Sequence, residues 1–383
     1  MAAATGRWDD LPAAHVGHDL GGTMGTTLVF LAVIGGRFLL PLAIPRWPLP
    51  AIVACLVLDG VDQTIFQLFG HDPPGYQSYD KAMDVYYLAI AYLATLRNWT
   101  SLPAFRVARF LYFYRLVGVV AFELSHARAL LLVFPNTFEY FFIAYEAVRA
   151  RWRPTRFGLR WWITAAALIW VLVKLPQEWW IHVARLDVTD MVGDHPVGGL
   201  VVAAGAVSAA SIGWRRYHAR LRPPDHPTRF AADPLPAEVD TAEERLQWHW
   251  VHGALLSWTT VEKVVLVGLL AVVYAQTLPG VRSTPLQLFL GVGVVVVVNA
   301  LLTLAAASRR RSIESSLMAF LARMLVNVVL VLAAELLLGV TGGDLDISAT
   351  LFYLALISLV TTLHDAWRPV LALRQRDEAA APA

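Results

Sequence analysis

Between Pro50 and Phe69 an otherwise apolar run is interrupted by Leu58-Asp59-Gly60-Val61-Asp62-Gln63. Asp59 and Asp62 stand three positions apart, so in a helix they share one face. Charges in the middle of a bilayer are expensive; they persist where they are paired, face a polar interior or bind something. Other apolar runs carry further ions. Asp80 and Asp84 are spaced i, i+4, and Glu139 follows Pro135-Asn136. Over all the apolar runs the acids Asp59, Asp62, Asp80, Asp84, Glu123, Glu139, Glu178, Glu262 and Glu335 outnumber the bases Arg37, Lys81, Arg115, Lys174, Lys263 and Arg323.

The chemistry such a set offers is proton exchange or the binding of a hard cation by carboxylate oxygens. We expect Asp59, Asp62, Asp80, Asp84 and Glu139 to bind an ion or a small substrate. Arg115 and Lys174 are expected to balance the charge of the Asp59/Asp62 and Asp80/Asp84 pairs, with Lys263 as a further balancing cation. The alternative is that the carboxyls specify helix packing. Interhelical polar contacts in membranes are each worth well under about 2 kcal/mol, a small return for so many buried acids. The chain has 31 basic residues, of which only Lys81, Lys174 and Lys263 are lysines, each in or beside an apolar run and near a carboxylate. Pairing and snorkelling explain Lys81 and Lys174 better than function does, while Lys263 lies near mid-depth, where snorkelling is harder.

The elements that must position these residues are transmembrane helices. Of 383 residues 57% are hydrophobic and 16% charged. A soluble domain carries about 25% charged residues. A span needs about 20 mostly apolar residues. On that rule the all-α chain is a polytopic integral membrane protein of about 11 spans (range about 10–12), close to 24–44, 50–69, 78–97, 105–124, 127–149, 160–181, 196–213, 249–276, 285–306, 315–339 and 347–364. The third is the least apolar, and only Ser125-His126-Ala127-Arg128 separates the fourth from the fifth. Pro135 within the fifth should bend the helix and free a carbonyl. The pattern divides the chain into a tail 1–23, a seven-span part 24–213, a linker 214–247, a four-span part 248–366 and a tail 367–383.

Arginine clusters orient the spans. Arg149 to Arg160, Arg215 to Arg229, Arg309-Arg310-Arg311 and Arg368 to Arg376 fall on one side. The opposite loops carry Asp72, then Asp187, Asp190 and Asp194, then Asp344 and Asp346. The C-terminus is then cytoplasmic and the N-terminus outside, in a plasma membrane. The proline-rich linker reads as an extended loop, and Thr241-Ala242-Glu243-Glu244 reads as a capping box that starts a helix. Most of the tryptophans sit at span ends, as interfacial anchors.

Other chemistries find little support. The polar first 20 or so residues lack the order of a cleavable signal. Cys55 is alone and reads as core filler. His249 and His252 share a face without a third ligand and read as interfacial, while His364-Asp365 reads as a helix terminus. No P-loop, zinc-protease helix, serine elbow or complete phosphoalcohol transferase motif occurs, and nothing suggests a cofactor or nucleic acid. A secondary transporter or channel-like permease is the first expectation. A membrane enzyme acting on lipid-linked substrates at the outer leaflet is the second, and a scaffold subunit the third. The expected partners are the lipid bilayer and a small ion, small molecule or lipid substrate.

Overall fold

Among the long described helices the least apolar, Tyr76–Asn98, is also the most enclosed. A computed structural model describes residues 20–69, 76–127, 129–180, 196–217, 223–252, 257–277, 291–301, 316–338 and 347–380, and no strand occurs among them. The helices are α1 (Leu20–Leu39), α2 (Pro48–Leu68), α3 (Tyr76–Asn98), α4 (Leu102–Ser125), α5 (Ala129–Val133), α6 (Thr137–Arg149) and α7 (Leu159–Glu178). They continue as α8 (Pro196–Tyr217), α9 (Ala242–His252), α10 (Trp258–Thr277), α11 (Gly291–Leu301), α12 (Ser316–Leu338) and α13 (Ile347–Ala380). Within this set Leu159–Glu178, Trp258–Gln276 and Thr350–Asp377 are long and apolar enough to cross a membrane. The acidic loop residues Asp72, Asp187, Asp190, Asp194, Asp344 and Asp346, together with Arg309-Arg310-Arg311, lie outside the described residues.

Helix α3 is buried from Ala82 to Leu96 almost without interruption. Helices α1, α2, α4, α6, α10 and α13 pack around it, α13 most extensively. A helix enclosed by other helices needs no apolar surface for lipid, so α3 can be low in hydropathy, and its charges Asp80, Lys81 and Asp84 sit in its first turns, where they stay partly exposed. The peripheral α7 does the opposite and exposes Ile163, Leu168, Val171 and Leu172.

Prolines shape the elements that carry polar groups. The expected fifth span is broken at Phe134-Pro135-Asn136 into α5 and α6. Two carbonyls at the break are taken up by α4: Tyr114 Oη donates to Val133 O at 3.0 Å, and Arg115 Nη1 donates to Phe134 O at 2.8 Å. The break presses on α4, where a Cβ added to Gly118 would lie 2.1 Å from Phe134 Cβ. In α7, residues Trp170–Lys174 form a π turn directly before Pro176. The wider turn accommodates a ring that would clash with the carbonyl four residues back.

Helix α13 runs through Pro369 to Ala380, so His364-Asp365 is not the helix terminus expected from the sequence. Pro369 has no N–H to offer the carbonyl of Asp365 four residues earlier. His249 Nε2 on α9 meets that carbonyl at 2.7 Å, which keeps the helix continuous and takes His249 out of the interfacial role expected for it.

The linker is a strap laid across one end of the bundle. Asp225 N–H donates to Arg151 O at 2.9 Å, Arg229 N–H to Ala150 O at 2.9 Å and Ala232 N–H to Arg46 O at 2.9 Å. Arg149 Nη1 reaches Ala231 O at 3.1 Å, and Arg374 Nη2 reaches Pro234 O at 3.3 Å. The strap thereby joins the start of α2, the end of α6 and the end of α13. It ends in the expected capping box, with reciprocal bonds between Thr241 and Glu244 at 3.0 and 3.2 Å.

Candidate ion-binding site

Arg37 is the cation at the centre of the α2 and α3 carboxylates. Its Nη1 donates to Asp62 Oδ2 at 2.5 Å and also to Asp80. Its Nη2 donates to Asp84 Oδ1 at 2.6 Å and also to Asp59. Four carboxylates from two helices thus share one guanidinium, leaving three negative charges in excess if all are ionised.

Local geometry explains the convergence. Helical side chains tilt toward their own N-terminus. Arg37, near the C-terminal end of α1, therefore points back along α1, while the acids of the antiparallel α2 point the other way to meet it. Gly36 lets the two helices close, since a Cβ there would lie 3.2 Å from Leu58 Cδ2. On α2, Cys55, Asp59 and Asp62 form one stripe; on α3, Asp80, Asp84 and Tyr87 form another. The Arg37 and Asp62 side chains are 5% and 2% exposed, while Asp59, Asp80 and Asp84 are 27%, 33% and 40% exposed. The inner part of the cage is sealed and three carboxyls form a more open rim. One oxygen each of Asp59, Asp62 and Asp80 lies within 4.8 Å of the others, a spacing an oxygen-ligated cation could bridge.

Glu139 forms the next layer. It stands in the first turn of α6, just past the break at Pro135, where it accepts from Tyr87 Oη at 2.5 Å and Asn136 Nδ2 at 2.8 Å. Tyr87 shares the α3 stripe with Asp84, so the cage and Glu139 are adjacent layers of one polar interior.

The expected balancing cations have other partners. Arg115 holds the freed carbonyl of Phe134, because a broken helix presents acceptors that a guanidinium satisfies. Lys174 is buried on α7 with Gln177 Oε1 at 2.9 Å, Glu178 at 3.3 Å and the Tyr140 ring at 5.0 Å, which is the pairing its i, i+4 spacing to Glu178 suggested. Arg37 is instead the cation that contacts Asp59, Asp62, Asp80 and Asp84. Lys81 pairs with Glu123 at 3.2 Å.

Lys263 belongs to a second buried cluster centred on Asp365. That carboxylate accepts from Lys263 Nζ and from Arg323 Nη2, the latter at 2.7 Å. Asn299, Asn327 and Ser358 extend the polar thread, with steps of 2.8 and 2.9 Å. Glu262, next to Lys263 in sequence, points elsewhere and accepts from Tyr92 Oη. Asp365 follows the last long apolar run and reads from the sequence as a helix end; Arg323, with no carboxylate within four positions along its own helix, is the signal that an acid must come from another one.

Neither a protein-family model, nor a curated protein, nor a solved structure matches this chain.

Proposed function

We propose that the chain is a polytopic membrane permease in which the Arg37 cage binds a small cation or exchanges protons. The observation that supports this best is the excess of carboxylate: four acids surround one guanidinium, three of them partly accessible. A purely structural pair would need one acid for one base. Here the surplus charge calls for a further cation or for protons, and Arg37 serves as a tethered counter-ion that holds the acids together when the external ion leaves. Glu139 and Tyr87 offer the next station along the same stripe.

The wider proposal is a plasma-membrane protein of about eleven spans with its N-terminus outside and its strapped, arginine-rich end in the cytoplasm. On that orientation Asp59 lies near mid-depth, Asp62 slightly outside it, and Asp80 and Asp84 in the outer part of α3.

The test is flux in proteoliposomes carrying an interior pH dye. Imposed sodium, potassium or proton gradients should drive dye responses with the wild-type protein, and Asp59→Asn should abolish them while the protein still elutes as a single folded species. Gradient-independent signals for every ion, or an Asp59→Asn variant as active as wild type, would overturn the proposal.

A further inference from the structure

A second site lies on the flank of the bundle, away from the cage. A cavity of about 860 Å³ opens between α4 and α10, with one residue of α13 at its end. Three of its lining residues are arginines: Arg106, Arg109 and Arg368. Its one acid, Glu262, is shared among Tyr92 Oη, Arg109 at 3.7 Å and Arg368 at 3.9 Å. Arg368 Nη1 is buried without a hydrogen-bond partner among the described residues. The site therefore has two positive charges in excess and an unused buried donor.

The arginines are grouped at one end. Arg106 and Arg109 lie in the first two turns of α4, and Arg368 lies toward the strapped end of α13, two turns before Arg374. From there the lining becomes apolar: Phe110, Phe113 and Val117 continue the α4 stripe, and Val261 and Val265 continue that of α10. Arg106 to Val117 spans 11 residues, about 16 Å of helix. That is close to half of a hydrocarbon core of about 30 Å, the length of one leaflet's acyl chain. Trp258 stands at the head of the α10 stripe, at the level of the arginines, and is 85% exposed, as an interfacial tryptophan would be.

We infer that this groove binds an anionic phospholipid of the cytoplasmic leaflet. Its phosphate sits among Arg106, Arg109 and Arg368, and one acyl chain lies along Phe110, Phe113, Val117, Val261 and Val265. Arginine forks suit phosphate oxygens, and basic clefts between membrane helices on the cytoplasmic side are recognised lipid headgroup sites. The inference rests on the proposed membrane orientation but not on ion transport, so binding and flux fail independently.

The experiment uses the full chain, purified in neutral detergent, titrated with phosphatidylglycerol or phosphatidylcholine and read by native mass spectrometry. Phosphatidylglycerol should bind preferentially, and Arg109→Gln with Arg368→Gln should weaken it about 25-fold, from roughly fivefold per arginine. Val117→Trp with Val261→Trp keeps every charge, fills the tail channel and should also block binding. Both variants are compared at matched melting temperature against wild type. Equal retention of the two lipids, or a preference unchanged in both variants, would overturn the inference. So would displacement of the lipid by millimolar inorganic phosphate alone, which would make the groove a site for free anions.

Discussion

At the scale of single residues, the behaviour of the cage follows from its unequal numbers. Arg37 is shared by four acids, so the two kinds of removal should differ in sign as well as size. Arg37→Gln leaves carboxylates facing one another in a poor solvent for charge and should cost about 3–5 kcal/mol, the range for breaking a buried pair. Asp80→Asn removes one of the surplus acids and should leave the melting temperature in detergent within a few degrees of wild type, or raise it. Cys55 supplies a native reporter: it is 7% exposed and one helical turn before Asp59. Maleimide labelling of Cys55 should be slow in wild type and Asp80→Asn and fast in Arg37→Gln. Equal labelling in all three would show that Arg37 does not hold the cage. The acids were legible from their spacing alone. Their partner was not, because Arg37 has no carboxylate within reach on its own helix and nothing in the spacing says which neighbouring helix it faces. Arg115 and Lys174 are claimed locally, by the proline break and by the i, i+4 glutamate.

At the scale of elements, prolines decide where the backbone offers its carbonyls, and side chains that looked free are spent on them. Arg115 serves the break at Pro135, and His249 serves the carbonyl released by Pro369. Gly118 makes the first arrangement possible. Gly118→Ala should push Phe134 away and cost about 1–3 kcal/mol by overpacking, read as a lowered melting temperature in detergent. The effect should be smaller when Phe134 is also cut back to alanine. The strap offers a test by pH. Asp225 accepts the Arg153 N–H at 2.9 Å and pairs with Arg156, and these bonds hold its carboxyl below the usual carboxylate range. A depressed value means that the stabilisation is present above the unfolded value, about 3.9, and is lost as pH falls through the lower folded value. Amide protection at Arg229 and Ala232, corrected for the intrinsic exchange rate, should therefore hold near neutrality and drop only under strongly acidic conditions. Asp225→Asn should show the loose strap at neutral pH. Span limits read from hydropathy fall within a few residues of most helices: 50–69 against Pro48–Leu68, 105–124 against Leu102–Ser125, and 315–339 against Ser316–Leu338. The largest departure is α13, which extends well past 364 because its later turns pack under the strap and across α9, where an apolar window has nothing to report.

At the scale of the whole molecule, α3, the least apolar of the long described helices, is enclosed, while the apolar α7 turns much of its surface outward. Charge in α3 is tolerated because it sits in the first turns, where Asp80 and Asp84 meet Arg37 and Lys81 meets Glu123 while staying partly exposed, and the strap fixes the ends of three of the segments packed around the buried remainder. Hydropathy shows which helices face lipid and is silent on which helix is enclosed, so α3 read as the weakest span although it organises the rest. On the proposed function, a cation that enters among the carboxylates around Arg37 displaces protons from them. The most direct measurement is a proton-release titration of the purified full chain in weakly buffered detergent solution, adding sodium, potassium, magnesium or calcium chloride in turn. Wild type should release protons on addition of at least one of these cations, in a saturable manner, and Asp59→Asn with Asp84→Asn should release none. Absence of release from wild type with every cation, or equal release from the double variant, would contradict the account.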